Sequence, residues 1–529
     1  MKRVAAAAAL AALTVAGCSG SSGAGSGNSG GGKVVDGATF TLSLNADPGN
    51  LDPQLSAASN LYQLTFFAYD PLLNVDGHNQ IQSGLATAWK VNGKSVTLTI
   101  KKGVTCSDGS SFTAADVARN VAFIADPKNK SPFLGVFLPG GSKATADAAA
   151  NTVTISYPAD APFVLYGLAG VPMVCPKGLA DRKLLTHGTD GTGPFRLTED
   201  VAGDHITYVK RDGYTWGPAG ASTATKGMPA KVVVKIVQNE TTAANLLLSG
   251  ALNGATMYGA DSQRLDQAKL FEAHTTGVLG EMWFNHAKGR PGADPAVRKA
   301  LTQALDLAQV QKVLTSGRGA PATVLAANEP VACPGNSVKD AVPAHDLAAA
   351  KQELDQAGWQ PGAGGVRSKD GHPLAITLLY NTALGAGGSA AAELAAGAWK
   401  GLGAKVTLKG QDETQAVQTL FATGDWDVAW EQVNVSSPDQ LVPFLSGPGT
   451  PKGNNFAHIA NPAYDAAIKQ AAAKPGTAGC ADWLAAEAEL FKNADVIPFA
   501  NQLVKTFGKK ARFAVVGVLV PTSIRMLAG

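Results

Sequence analysis

The chain lacks most of the motifs that mark enzymes and metal proteins. Beyond residue 32 it contains neither Gly-x-Ser-x-Gly nor His-Glu-x-x-His, and its eight histidines are scattered without an i, i+4 pair. These absences argue against the common serine-hydrolase and zinc-peptidase mechanisms. A carboxylate-pair hydrolase has no comparable motif, so a secreted hydrolase is kept as a less favoured alternative. We expect the protein not to be an enzyme, and to need neither a cofactor nor a metal ion.

Charge of one sign and long apolar runs are also scarce. The 529 residues carry a formal net charge of +3, which falls to +1 if Lys2 and Arg3 are removed with a signal peptide. Such a balance offers nucleic acid no basic surface. No apolar stretch of spanning length follows the amino-terminal signal, which argues against an integral permease. A chain of this length exceeds the usual capacity of one hydrophobic core, so two or three lobes are expected.

Cysteine is rare, and four thiols remain after Cys18, namely Cys106, Cys175, Cys333 and Cys480. None of them has Cys-x-x-Cys spacing or a nearby histidine, which disfavours a metal site. An even number in an oxidising compartment indicates two disulfides, and the sequence alone permits three pairings. We expect Cys106–Cys175 and Cys333–Cys480, because each pair then falls within one expected lobe.

The amino-terminal residues have the pattern of an export signal. Lys2 and Arg3 precede an apolar stretch at residues 4–13, and Leu-Thr-Val-Ala-Gly-Cys follows at residues 13–18. The apolar stretch is too short to span a membrane, and small residues precede Cys18, which predicts a signal peptide over residues 1–17. The next fourteen residues are all Gly, Ser, Ala or Asn, which predicts a flexible tether over residues 18–32.

Ala-Gly-Cys at the end of the signal resembles a bacterial lipobox. The resemblance implies cleavage before Cys18 and lipid, such as palmitate, on the protein at this cysteine. The alternative is an ordinary secretory signal in which the cysteine is incidental.

Residues 46–117 alternate turn signals with short strand-like runs. They read ADPGNLDPQ at 46–54, YDPLLNVDG at 69–77 and LATAWKVNGKSVTLTIKKGVTCSDGSSFTAADV at 85–117. The stretch closes on Thr113-x-x-Asp116, a capping-box variant that opens a helix. The apolar face of this helix is expected to consist of Val117, Val121 and Ile124. The pattern therefore predicts a small β-rich lobe with one docked helix.

These segments, in this order, resemble the hallmark block of the family-5 extracellular solute-binding proteins, which are the dipeptide and oligopeptide receptors of ABC importers. The main departure is Cys106, which stands where the family has phenylalanine before Ser-Asp-Gly. Later segments that resemble the family are GTGPF at 191–195, YVKRDGYTW at 208–216, the Pro-x-x-Asp-x-x-Val-Arg-x-Ala-Leu motif at 291–301 and Ala-Gly-Trp at 357–359. The resemblance implies an α/β, bilobed periplasmic-binding-protein-like fold of class II, cluster C type, with an extra N-terminal subdomain.

The family also implies how the chain is divided. Lobe I is expected to consist of residues 33–70, 190–285 and 490–529, the extra subdomain of residues 71–189, and lobe II of residues 286–489. The segment Glu281–Asn285 is expected to belong to a strand that crosses between the lobes. Arg298 is expected to be a solvated or lobe-bridging structural arginine rather than a catalytic one.

Within lobe II the residues themselves predict a ligand-binding edge. A strand at 374–380, a helix at 389–402, a strand at 405–409, a helix at 412–423 and a strand at 426–431 follow one another. Such alternation predicts a parallel sheet, and ligands lie beyond the carboxyl ends of the strands in sheets of this kind. This argument places Tyr380, Asn381 and the loop 431–437 on the groove.

The expected ligand follows from comparison with the family. Peptide-binding relatives carry an aspartate for the ligand ammonium shortly before an (Asp/Glu)-Pro. Counting back from Pro438 puts Asn434 in that place, whereas counting forward from Asp427 puts Ser436 there. Dipeptide receptors also place an arginine after the strand of Tyr380, and residues 381–388 contain none. Neutral groups favour longer peptides that are held by main-chain hydrogen bonds.

Trp430 is the first candidate for an apolar wall, and Glu431 is a secondary candidate for the ammonium partner. The complete set of candidate ligand-binding residues is Trp430, Glu431, Asn434, Ser436, Tyr380, Asn381, Trp283, Asn285, Tyr258 and Asn50.

Together these features predict a substrate-binding lipoprotein of an ABC importer that captures oligopeptides between two lobes and delivers them to a membrane permease. We expect a monomer that lies outside the cytoplasm and is anchored to the cell membrane by lipid on Cys18. Its expected partners are the permease subunits. The alternative is a receptor for haem or another planar hydrophobic ligand. The absence of the aspartate and arginine that bind peptide termini in relatives is consistent with such a ligand. Capture of a nickel chelate or a sugar is less favoured.

Overall fold

A computed structural model describes residues 32–56, 58–259 and 261–528 of the chain. The signal peptide, Cys18 and the tether up to residue 31 lie outside these residues. Both expected disulfides, Cys106–Cys175 and Cys333–Cys480, are present, with Cα–Cα distances of 6.1 and 5.1 Å. Over the described part of the chain, none of the helices combines the length and the apolar content needed to cross a bilayer.

The described chain contains both helices and strands throughout its length. The helices are α1 (Ser59–Ala68), α2 (Ala114–Ala125), α3 (Val164–Gly170), α4 (Pro176–Ala180), α5 (Glu240–Ser249), α6 (Asp261–Gln267), α7 (Pro295–Gln303), α8 (Leu307–Leu314), α9 (Leu347–Gln356), α10 (Gly385–Leu402), α11 (Glu413–Gln418), α12 (Val442–Leu445), α13 (Pro462–Ala472) and α14 (Cys480–Lys492). The strands are β1 (Thr39–Leu44), β2 (Leu73–Val75), β3 (Ile81–Ser83), β4 (Ala86–Val91), β5 (Ser95–Ile100), β6 (Lys143–Asp147), β7 (Thr152–Ser156), β8 (Phe195–Val201), β9 (His205–Lys210), β10 (Lys231–Ile236), β11 (Gly254–Met257), β12 (Phe271–Phe284), β13 (Gln360–Pro361), β14 (Arg367–Lys369), β15 (His372–Pro373), β16 (Ala375–Asn381), β17 (Lys405–Gln411), β18 (Val428–Trp430), β19 (Val496–Gly508), β20 (Ala511–Arg512), β21 (Val515–Val516), β22 (Val518–Leu519) and β23 (Arg525–Met526).

One mixed sheet of ten strands runs through the molecule in the order β17-β16-β18-β12-β19-β11-β1-β10-β9-β8. The predicted alternation in the region of residues 374–431 is confirmed, because β16 pairs in parallel with both β17 and β18. The predicted helix at 412–423 is α11 followed by a π-helical turn at Thr419–Thr423. The last predicted strand is shorter than expected and spans Val428–Trp430.

A separate sheet of four strands, β4-β5-β7-β6, lies in the expected β-rich lobe. Helix α2 packs on it through β6 and β7. The capping box is confirmed, since the main-chain N–H of Thr113 donates to Oδ2 of Asp116 at 2.7 Å. Val117, Val121 and Ile124 are buried, as the apolar pattern predicts. No finding tests the boundaries of the lobes, which stay predictions.

Three of the family-like segments meet at one buried carboxylate, that of Asp70. Its oxygens accept hydrogen bonds from the Thr192 hydroxyl at 2.8 Å, the Tyr214 hydroxyl at 2.8 Å and the Trp216 indole N–H at 3.1 Å. Burial raises the pKa of Asp70, and these three donors oppose the shift. Segments that lie more than a hundred residues apart are therefore joined at one group.

Residues 131–166, which include β6 and β7, also contact the region 439–483; we call this the side contact. Gln440 Nε2 donates to the carbonyl oxygen of Val136 at 3.2 Å. The rings of Phe163 and Trp483 lie 6.1 Å apart between centroids, in an apolar cluster that includes the disulfide Cys333–Cys480. The four-stranded sheet is thus connected to the rest of the molecule at a second place.

Arg298 forms a buried ion pair and is not solvated. Its guanidinium donates to the carboxylate of Asp495 at 3.1 Å and to the carbonyl oxygens of Gly292 and Asn493. The two charged side chains are 3% and 0% exposed. Burial lowers the pKa of Arg298 and raises that of Asp495, while the mutual attraction of the two groups opposes both shifts. Asp294 caps the same helix, α7, by accepting the N–H of Ala296.

We expect Arg298→Met to lower the free energy of unfolding by about 3–5 kcal/mol, because it leaves the carboxylate of Asp495 buried without its cation. Urea denaturation followed by circular dichroism measures the effect. Lys299→Met, one residue further along α7, is the matched control and should change stability little. Equal denaturation midpoints for the two variants would contradict a structural role for this pair.

Candidate ligand-binding cleft

Two long antiparallel strands, β12 and β19, connect the two halves of the ten-stranded sheet. Their register runs from Phe271 opposite Gly508 to Trp283 opposite Val496, with irregularities between Val278 and Glu281. The segment predicted to cross between the lobes, Glu281–Asn285, comprises the last four residues of β12 and the residue after it. We refer to β12 and β19 as the crossing pair.

The carboxyl ends of two sets of strands face each other along the crossing pair. β1, β10 and β11 are parallel, and β11 is antiparallel to β19. Since β12 is also antiparallel to β19, this first set points along β12 toward its carboxyl end. β16, β17 and β18 are parallel, and β18 is antiparallel to β12, so the second set points back. Ligands bind beyond the carboxyl ends of such strands, so the gap between the sets is the candidate cleft.

The register gives the size of this gap. β11 ends level with His274, and β18 ends level with Met282. The extended chain of β12 between these two residues spans roughly 25 Å at a rise of about 3.3 Å per residue. The gap is therefore long enough for several residues of an extended guest.

The loop after β18, residues 431–437, is attached to β12 within the gap. Gln432 Nε2 donates to the carbonyl oxygen of Leu279 at 2.7 Å, and the N–H of Val433 donates to Oε2 of Glu281 at 2.9 Å. Both acceptors lie where the register of the crossing pair is irregular. The loop is therefore held over the crossing pair by specific hydrogen bonds.

Asn328 and Glu329 attach a second segment to the same part of β12. Asn328 Oδ1 accepts the N–H of Val278 at 3.1 Å, while its Nδ2 donates to Oδ1 of Asn434 at 3.3 Å. Glu329 Oε2 accepts the N–H of Thr276 at 2.9 Å. Neither residue was among the predicted candidates. The only signal in the sequence is an Asn-Glu-Pro turn, which does not show what the turn contacts.

Glu281 is a buried carboxyl group beneath the loop 431–437. Its side chain is 0% exposed, and its Oε1 has no hydrogen-bond partner among the residues that the structure describes. Burial raises the pKa of Glu281 from 4.5 to about 8; the N–H of Val433 opposes this shift, and the negative charges of Glu431 and Glu487 add to it. At neutral pH the group is therefore mainly protonated and uncharged.

The structure brings several predicted residues together at the end of β18. Trp430 is 1% exposed, and its ring lies 5.2 Å from that of Phe499. The Trp283 indole N–H donates to the carbonyl oxygen of Glu431 at 2.9 Å. Asn434 is exposed and Ser436 is half-buried in the loop that follows. Tyr380 is level with Trp430 in the sheet, and Asn381 follows it at the end of β16.

Three predicted residues lie apart from this group. Asn285 is 1% exposed, and its amide donates to the carbonyl oxygen of Trp426 at 2.9 Å. Asn50 belongs to a turn in which its Oδ1 accepts the N–H of Asp52 at 2.9 Å. Tyr258 follows β11 on the opposite side of the cleft and is 46% exposed. No finding tests whether any candidate touches a ligand, so all of these assignments stay predictions.

The strand ends and the side chains around the loop 431–437 together indicate the class of protein. Within the described ranges, no group of three or more His, Cys, Asp or Glu side chains is placed to hold a metal ion. The side chains around the loop are mostly neutral amides, aromatic rings and a protonated carboxyl group. Two sets of strand ends that face each other across a crossing pair define a bilobed solute-binding protein of the α/β class.

Comparison with known proteins agrees with this class. The profile described as "Bacterial extracellular solute-binding proteins, family 5 Middle" matches residues 80–455. The chain belongs to this family of bacterial extracellular solute-binding proteins. Its members are solute-binding proteins that lie outside the cytoplasm.

Several relatives match over most of the chain. Protein XP55 of Streptomyces lividans is 29% identical over 464 residues, which cover 83% of this chain and 79% of that protein. The periplasmic murein peptide-binding protein MppA of Escherichia coli (strain K12) is 27% identical over 487 residues, which cover 85% of each. The crystal structure of a substrate-binding protein from Microbacterium hydrocarbonoxydans, complexed with 4-hydroxybenzoate hydrazide, has a TM-score of 0.74 and 25% identity, covering 92% of this chain and 100% of that chain.

We expect Glu281→Gln to reduce the pH dependence of stability. The pKa of Glu281 in the folded protein, about 8, lies above its ordinary value of 4.5. The folded state therefore binds the proton more tightly than the unfolded chain, and this group makes stability fall as pH rises between these two values. The variant removes the titration, so at pH 8.5 it should melt roughly 2 °C or more above the wild type.

Melting curves at pH 5, 7 and 8.5 measure this effect. Glu329→Gln, the same change at an exposed carboxylate, should keep the slope of the wild type. An identical slope for Glu281→Gln and the wild type would show that Glu281 does not titrate in this range.

Proposed function

We propose that this protein is the substrate-binding lipoprotein of an ABC importer, and that it captures peptides between two lobes and delivers them to a membrane permease. Oligopeptides, rather than strictly dipeptides, are the proposed ligands. The observation that carries the proposal is that two sets of strand ends face each other across the crossing pair. Such a cleft encloses an extended guest from both sides.

The chemistry of the cleft supports recognition of the peptide main chain. Asn434, which is exposed, bonds to the amide of Asn328 and presents no charge. Glu281 is mainly protonated at neutral pH because its pKa is raised to about 8. Neutral donors and acceptors suit main-chain N–H and C=O groups, which every peptide offers regardless of its sequence. Glu431 remains the proposed partner for a ligand ammonium group.

The proposed mechanism is capture without any change to a covalent bond. A peptide enters the open cleft, and the lobes close around it as it stabilises the closed state. Closure removes water from the polar groups and orders the loops, and both changes cost free energy. The affinity is the free energy of the new contacts that remains after these costs. The closed, loaded form then docks on the permease.

The relatives support peptides and also favour one alternative. MppA carries murein peptide in its name, which agrees with the proposal. The Microbacterium hydrocarbonoxydans protein holds 4-hydroxybenzoate hydrazide, a small planar aromatic compound, which favours a planar hydrophobic ligand as the second candidate. Haem belongs to this second class, although none of the reported relatives is named for it.

We expect tetra-L-alanine to bind measurably in isothermal titration calorimetry, and di-L-alanine to bind at least about tenfold more weakly. The longer peptide offers additional main-chain hydrogen bonds, each worth about 1 kcal/mol net. Small-angle scattering of the same samples should show a smaller radius of gyration with tetra-L-alanine present.

Tetra-D-alanine is the matched control, because it has the same composition and charge but the opposite hand, and it should not bind. Failure of all L-peptides, together with a shift of the Soret band on titration with haem, would contradict peptide capture and favour the alternative. Hydrolysis of the peptides would contradict a purely binding role.

We further expect Cys18→Ala to abolish attachment of lipid. The proposed anchor is lipid on this cysteine, so the variant should incorporate no radiolabelled palmitate and should leave the membrane fraction. Lipid attached to Cys18→Ala, or retention of the variant in membranes, would contradict the lipobox interpretation. Cys106→Ala, which alters a cysteine of the globular part, should retain the label in any protein that is exported.

A further inference from the structure

A small cavity of about 120 Å³ lies at the carboxyl ends of β1, β10 and β11, across the cleft from the loop 431–437. In the sheet, β1 lies between β10 and β11, while along the chain β10 leads through α5 to β11. The strand order therefore switches sides at β1. In open α/β sheets a crevice forms outside the strand ends at such a switch point, and ligands bind there.

The cavity is lined by polar side chains that are not used elsewhere. Ser43 is the last residue but one of β1, Asn45 follows this strand, and Gln238 lies two residues after β10. Their side chains form no hydrogen bond with any of the residues that the structure describes, although Ser43 is only 9% exposed. Two carboxamides and a hydroxyl group therefore offer both donors and acceptors to a guest.

The charge at the cavity is negative and has no cationic counterpart in the lining. Glu240 is the only acidic side chain of the lining, and its carboxylate accepts the N–H groups of Tyr258 at 3.0 Å and Gly259 at 2.8 Å. These bonds fix the carboxylate but leave its charge in place. A guest that carried a carboxylate would be repelled at this distance.

Tyr258 forms the side of the cavity that faces the cleft. Gln63 of α1 lines the same cavity, and Tyr258 itself follows β11. It is 46% exposed, so its ring is available to a ligand in the cleft. Tyr258 therefore belongs both to the lining of the cavity and to the exposed surface beyond the end of β11.

We propose that this cavity is a ligand subsite that takes an uncharged hydrogen-bonding side chain of a peptide, namely a carboxamide or a hydroxyl group. The inference rests on the proposed function, and it adds the chemical class of one ligand side chain. An aliphatic side chain would leave Ser43, Asn45 and Gln238 without partners once closure excludes water, which costs free energy. A carboxamide satisfies them without adding charge beside Glu240.

The test is a scan of tetra-L-alanine in which each position in turn is replaced by Gln, Leu or Glu, with affinities from isothermal titration calorimetry. At one position, Gln should bind about tenfold more tightly than both Leu and Glu, which corresponds to one or two neutral hydrogen bonds. The double variant Ser43→Ala, Gln238→Ala should reduce this preference to about threefold or less. Ser249→Ala, on the exposed surface of α5, is the control and should keep the full preference.

Ser43 is nearly buried, so its substitution could also affect folding, and Gln238→Ala is therefore measured alone as well. Gln238 is exposed, so this single substitution should lower the preference for Gln without changing the melting temperature. Binding of tetra-L-alanine with no preference for Gln at any position would overturn the subsite and leave the proposed function standing. A preference that survives in both variants would also overturn it. If neither tetra-L-alanine nor any substituted peptide binds, the proposed function fails and the subsite fails with it.

Discussion

The pairing of β12 with β19 is the constraint on which the rest of the structure depends. Both halves of the ten-stranded sheet hydrogen-bond to this pair, so its register sets the position of one half relative to the other. A slip by one residue would turn each side chain to the opposite face of the sheet. It would remove Glu281 from beneath Val433 and separate Val278 from Asn328. The irregular register between Val278 and Glu281 coincides with the attachment of the loop 431–437, so the cleft is built where the pairing is least regular.

Buried charge is treated differently in the core and in the cleft. Asp70 and the pair Arg298–Asp495 lie away from the cleft, and each has several hydrogen-bond partners. At the cleft, Glu281 accepts the N–H of Val433 and is mainly protonated at neutral pH, while Asn434 and Asn328 are neutral. When such a cleft closes and loses water, burying a neutral polar group costs less free energy than burying an unpaired charge. The distribution of charge therefore fits reversible binding of a guest that is mostly uncharged along its length.

Local patterns in the sequence predicted those features of the fold that are set by residues close together along the chain. The capping box at Thr113, the parallel strands and the position of Trp430 at a strand end all follow from spacing along the chain. The disulfides followed from the expected lobes. The roles of Asn328, Glu329 and Glu281 could not be predicted in this way. Each depends on which segments, between about 50 and 150 residues apart, meet at β12, and neither periodicity nor turn signals carry this information.

The side contact has a mechanical consequence. Two hydrogen bonds, from Gln440 to Val136 and from the N–H of Gly476 to the carbonyl oxygen of Pro162, join the four-stranded sheet to the far half of the molecule. The aromatic rings of Phe163 and Trp483 pack against each other in the same side contact. The side contact therefore links residues 131–166 to the region 439–483 in addition to the connections through the ten-stranded sheet. Rotation about the crossing pair must either break this junction or carry the four-stranded sheet along, which gives the molecule a stiffness that a simple hinge would not have.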